Sequence, residues 1–203
     1  MNFGQLFQSA EDAVYEVMVW ILLLPKTLIG TMVRPRQMVE YVAKEWEKKP
    51  EERFDGYLSP VLLWLIVLVV PLTLFAVVGD PENAKVAEQL PQITLYSMIV
   101  PFTYIAWVEM ANKEPVRRST LKRAFYKHCY MLTPGLLIAV IFSLLALFLL
   151  PLIIPALVAI PFYEAFVFET ELGISFKRAF LHALGPQVIL VIVLVIVLGL
   201  GII

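Results

Sequence analysis

The sequence predicts an all-α, polytopic integral membrane protein: five transmembrane helices preceded by N-terminal amphipathic, interfacial helices. Of 203 residues, 60% are hydrophobic and the mean hydropathy is +0.82, more apolar surface than one soluble core can hide. The apolar residues gather in long runs with few charges, separated by charged connections. Fifteen of the sixteen Lys and Arg then fall on one side of the resulting layout.

Residues 1–58 read as an interfacial helical region and 59–203 as the membrane domain. Phe3, Leu6, Phe7, Ala10, Val14, Val17, Met18 and Ile21 recur at three- and four-residue spacing, the stripe of a helix lying in the bilayer surface, with Ser9 and Asp12 as its capping pair. Pro25 and Lys26 interrupt the run, so residues 14–33 are expected to lie flat or re-enter, with a sixth crossing as the alternative, and a second short apolar piece ends at Arg34-Pro35. A further helix, RQMVEYVAKEWEKK, places Val39, Val42, Ala43 and Trp46 on one face and its charges opposite.

Ser59 followed by Pro60 is an N-cap with proline at the first helical position, and span one runs over 60–79. Span two covers 91–111, with a kink expected at Pro101. The apolar stretch from 134 to 168 is long enough for two crossings, 134–150 and 155–171, with Pro151 and Pro155 at the hairpin turn. Span five is 187–203. Seven basic residues precede span one, including Arg34 and Arg36; six lie between spans two and three, including Lys122 and Arg123; Lys177 and Arg178 lie between spans four and five; Lys85 alone is on the opposite side. The positive-inside rule therefore places the N-terminus in the cytoplasm and the C-terminus outside. The acidic start, with Glu11, Asp12 and Glu16, lacks the basic region of a signal peptide, so none is expected.

The formal net charge of −1 gives no basic excess for nucleic acid. The single Cys129 cannot form an internal disulfide, and His128 beside it lacks companions for a zinc site, so the pair reads as ordinary membrane-entry surface. No phosphate loop, His-Glu-x-x-His motif or intramembrane nucleophile and base is present, and neither an enzyme nor a cofactor is expected. Lys-Arg-Ala-Phe occurs at 122–125 and again at 177–180, each time leading to a proline and an apolar span. The two segments are expected to lie near each other and to neutralise anionic lipid headgroups or an acidic partner, as are Arg34 and Arg36.

Two resemblances cover most of the chain. The stretch LLPLIIPALVAIPFYEAFVFETELGISFKRAFLHALGPQVIL is similar to prokaryotic proteins related to the membrane domain of glycerophosphodiester phosphodiesterases. LLLPKTLIGTMVRPRQMVEYV, with the charged linker and five spans after it, resembles the Yip-domain superfamily. The resemblance implies a non-enzymatic membrane protein with a cytoplasmic N-terminus and five crossings, and a bacterial cytoplasmic membrane as its location.

Glu109 and Glu164 are the acidic residues that hydropathy leaves unexplained. Glu164 is placed near mid-bilayer, facing Tyr96, Ser97, Thr103, Tyr104 and Glu109 of span two or Ser143 of span three, with no cationic partner in any span. A structural hydrogen bond from a neutral carboxyl and a proton- or cation-handling site both fit that position. Three function classes follow: a non-catalytic scaffold or accessory subunit organising lipid, a protein partner or a second copy; a small transporter or channel subunit with Glu164 and Glu109 on a polar path; and a sensor of the lipid bilayer or of stress. The scarcity of intramembrane polar groups favours the first.

Overall fold

In the computed structural model, which describes residues 3–78, 99–112, 118–146 and 153–199, the ordered elements are all helical. They are α1 (Phe3–Val33), α2 (Pro35–Glu47), α3 (Pro60–Val78), α4 (Ile99–Asn112), α5 (Arg118–Ala146), α6 (Ile153–Leu172) and α7 (Phe176–Gly199), with one 3₁₀ turn at Pro50–Glu52. No strand occurs among the described residues.

Proline punctuation proved weaker than expected. Pro25 lies inside α1, Pro134 inside α5 and Pro186 inside α7, so none ends a helix. Ser9 likewise lies within α1 rather than capping it. A proline removes one backbone donor, a loss tolerated where neighbouring helices and local backbone adjustment re-satisfy the freed carbonyl and packing holds the rest of the helix. The spans drawn from 134 and 187 are therefore later parts of helices that begin at Arg118 and Phe176, and each basic Lys-Arg-Ala-Phe segment is continuous with the apolar run after it. Pro155 sits in the first turn of α6; Pro151 and residues 91–98 of span two lie outside the described residues. By length and composition two stretches can cross a membrane, Glu11–Val33 and Thr120–Phe142, and the first is 11% buried. Shorter apolar helices run over Pro60–Val70 and Ile99–Ala111.

The Ser59 start is as expected: the amide of Leu62 donates to Ser59 Oγ at 3.3 Å, and the amide of Leu63 to the Ser59 carbonyl at 2.9 Å. Gly173, with φ +62°, ends α6 in the left-handed conformation that lets the chain reverse into α7.

The antiparallel pair α5 and α6 forms the spine, and two apolar clusters flank it. One joins Met38, Val39 and Val42 of α2 to Leu63, Tyr130, Met131 and Val167, with Trp20, Leu23 and Leu24 of α1 packed on it. The other joins Trp64, Tyr104, Cys129, Phe168 and Ala183 across α3 to α7. The N-terminal region thus shares a core with the later helices. Glu45 departs from its expected charged face: it is 3% exposed, accepts from Lys48 Nζ at 2.6 Å and from the Phe54 amide at 2.7 Å. It thereby holds Phe54 at φ +67°, a conformation costly for a bulky residue.

Gly135 lets the spine close. A Cβ there would lie 2.7 Å from Ile160 Cα and 3.1 Å from the Ala159 carbonyl oxygen, both backbone atoms. Gly135→Ala should therefore push α5 from α6 and cost about 1–3 kcal/mol. At Gly56 the nearest atom to an added Cβ is 3.9 Å away. Thermal unfolding of the detergent-solubilised protein should show a clear fall for Gly135→Ala and little change for Gly56→Ala.

Candidate functional site

Within the spine, His128 of α5 and Glu164 of α6 meet, Nδ1 to Oε2 at 2.5 Å, and both residues are 0% exposed. Glu164 lies eight residues before the end of α6, roughly 12 Å at ~1.5 Å per residue. Around the pair stand Tyr104, with its ring 6.1 Å from the imidazole, and Phe168, with its ring 6.3 Å away edge-on. The Tyr104 hydroxyl is directed elsewhere, donating to Gln187 Oε1 at 3.1 Å and tying α4 to α7. His128 Nε2 and Glu164 Oε1 remain without a hydrogen-bond partner among the described residues.

This corrects two expectations. His128 and Cys129 are not membrane-entry surface: both are 0% exposed. Glu164 does have a partner able to carry positive charge, and it comes from α5 rather than from the span-two or span-three residues named for it. Thr103 instead donates to the Val100 carbonyl at 2.6 Å within its own helix. Tyr96, Ser97 and the Ser143 side chain lie outside the described residues. The sequence signal for His128 was its position between Phe125 and Leu132 at helical spacing, on an apolar stripe that passes through Pro134. Reading Pro134 as a boundary hid it.

A second layer of ion pairs surrounds this end of the spine. Lys127, 4% exposed, pairs with Glu171. Arg36 reaches Glu169 through Nε and Nη2, both at 3.0 Å, a two-pronged contact that occupies a charge expected to meet headgroups. Of the other predicted contact residues, Lys122, Lys177, Arg178 and Arg34 are exposed and Arg123 is half-buried. Lys122 Nζ also stands 6.0 Å from the Tyr126 ring. Their companions point inward: Ala179 is buried, and Phe125 and Phe180 each pack on the second apolar cluster. Glu109 is half-buried on a separate apolar cleft with Phe102, Ile105 and Leu121. No group of three or more His, Cys, Asp or Glu suited to a metal occurs among the described residues.

Comparison of the chain with protein-family models, curated proteins and solved structures found no match.

The chemistry available to the buried pair is proton sharing across two helices. Removing either member leaves the other buried and unpaired, at a cost of about 3–5 kcal/mol. His128→Leu and Glu164→Leu should each destabilise by that order, whereas the double replacement should lose much less than the sum. A double-mutant cycle on unfolding in detergent measures this, and additive losses would show that the two side chains act independently.

Proposed function

We propose that this chain is a non-catalytic, multi-pass membrane protein, a scaffold or accessory subunit that organises lipid or a partner protein at the cytoplasmic face of a bacterial inner membrane. The observation that carries this reading is the outer surface of α1: Val14 is 61% exposed, Leu22 73% and Val33 70%, with Tyr15, Met18, Ile21 and Ile29 also exposed. Such a surface calls for a cover, and acyl chains supply one without further structure. The inner side of α1 is fixed: Thr27 Oγ1 accepts from the Leu58 amide at 2.9 Å and Lys26 Nζ donates to the Gly56 carbonyl at 2.6 Å, both just ahead of α3. In this reading α1 lies in the interface, five spans follow, and the exposed Lys122, Lys177 and Arg178, with the half-buried Arg123, face anionic headgroups or an acidic partner. The five-crossing layout of the Yip-domain superfamily belongs to the same proposal.

The His128–Glu164 pair favours a second reading, a small transporter or channel subunit that handles protons or cations. Glu164 and Glu109 then need to share a path, but Glu164 is 0% exposed and is not among the residues lining the Glu109 cleft. The scaffold reading is preferred for that reason. A sensor role would use the same outer face of α1 as its membrane contact.

Reporter cysteines test the layout: one at Asn2 should react only from the cytoplasmic side and one at Gln89 only from outside. Labelling of Asn2 from outside would mean that α1 crosses. Changing Lys122, Arg123, Lys177 and Arg178 to Gln should weaken association with anionic vesicles while leaving insertion intact, since seven basic residues before span one still orient the chain. Association unchanged by these substitutions would limit them to a topological role. Pull-down from native membranes with mass spectrometry separates a stoichiometric partner from bound lipid alone.

A further inference from the structure

Two recesses meet at Arg34. The first, about 410 Å³, lies between the end of α1 and one face of α2 and is lined by Arg34, Gln37, Glu40, Tyr41 and Lys44 among others. The second, about 330 Å³, shares Arg34 and Gln37 with it and is otherwise lined by Val33, Pro35, Phe166 and Arg36, whose guanidinium is held by Glu169. Volumes of several hundred Å³ are those of small-ligand sites. Arg34, Gln37, Tyr41 and Lys44 recur at three- and four-residue spacing, which brings them to one side of α2. Gly30 makes room there: a Cβ on it would already stand 3.3 Å from Met38 Sδ and 3.4 Å from the Tyr57 ring.

The charges of the first recess are uncommitted. Arg34, Glu40 and Lys44 are exposed and have no ion pair among the described residues, in contrast to Arg36, Lys48 and Lys127 nearby. Burial, followed by the Glu45 carboxylate, holds the Tyr41 phenol well above its usual range, so it stays neutral. Two cations with one carboxylate beside an apolar-walled groove suit an amphiphile that carries both a phosphate and an ammonium.

We propose that the two recesses form one site for a glycerophospholipid with a primary ammonium headgroup, its phosphate between Arg34 and Lys44, its ammonium at Glu40 and an acyl chain along Val33, Pro35 and Phe166. The proposal rests on the membrane reading above. Val33 is 70% exposed and Ile29 62%, so the apolar groove is continuous with the outer face of α1, which that reading places against acyl chains. Arginine supplies the forked donor for the phosphate and lysine a second point charge, while the ammonium needs a carboxylate and free N–H groups.

The test uses the full chain, first shown to stay with membranes through an alkaline wash; release in that wash refutes the membrane reading and this site with it. Native mass spectrometry of the detergent-purified protein then measures binding of phosphatidylethanolamine, phosphatidylcholine and phosphatidylglycerol. One tight phosphatidylethanolamine is expected, with phosphatidylcholine about tenfold weaker because its methylated nitrogen cannot donate to Glu40. Glu40→Gln should erase that preference, and Arg34→Gln with Lys44→Gln should weaken both lipids at least about tenfold, whereas Lys49→Gln, at an exposed cation outside both recesses, changes neither. The site is overturned by equal binding of the ethanolamine and choline lipids to the unmodified chain. It is equally overturned by unaltered binding in an Arg34→Gln, Lys44→Gln protein of normal melting temperature. Soluble phosphoethanolamine displacing the lipid at equal concentration would overturn the acyl-chain half and leave a free phosphate site. Should the double variant fail to fold, the ethanolamine-to-choline comparison on the unmodified chain decides.

Discussion

The packing of this protein is organised around a polar contact placed where polar groups are costly. His128 and Glu164 face each other across the α5–α6 seam with neither side chain reaching the surface. Either group alone would be a buried charge or an unsatisfied donor or acceptor; together they restrict how the two helices can slide or rotate. The residues beside them divide between the two apolar clusters, Tyr130 and Met131 toward α2 and Cys129 and Leu132 toward α3, α4 and α7. A shift at the seam is therefore felt on both flanks.

Close backbone approach completes what the pair begins. Gly135 permits α5 to touch the Ala159–Ile160 backbone, and Gly185 of α7 performs the same service against Trp107, where an added Cβ would lie 2.5 Å from the ring. Where helices are apolar on nearly all sides, burial alone does not choose a rotation, and small residues and polar contacts make the choice. The interior prolines at 25, 134, 161 and 186 are compatible with this arrangement because the helices that carry them pack against their neighbours.

The end of the spine where α6 meets α7 has a different chemistry. Acidic residues of α6 there are matched to cations from other elements, Glu169 to Arg36 and Glu171 to Lys127. The Arg36–Glu169 pair is partly solvated and adds little stability, of order 0–1 kcal/mol; its effect is to fix α2 across the end of the spine. Glu45 does comparable work at the corner after α2, where a carboxylate on the apolar side of a helix holds the Phe54 amide. What remains free at this end is a set of exposed cations and, on α1, an outward apolar surface.

Length, composition and helical periodicity are properties of the chain itself, and they determined the all-helical class, the start of α3 at Ser59-Pro60 and the apolar face of α2 through Val39 and Val42. They also marked Glu164 as a residue needing a partner inside the protein, because a carboxylate surrounded by apolar residues is conspicuous without any structure. The partner was decided only by tertiary packing. His128 is 36 residues away on another helix, and no local pattern links the two. Tertiary packing also determined that α1, α5 and α7 run through their prolines, since whether a missing donor breaks a helix depends on what surrounds it. It placed Glu45 inward for a related reason: a side chain's face follows from the helix, but the amide it meets belongs to a corner that forms only when the chain returns.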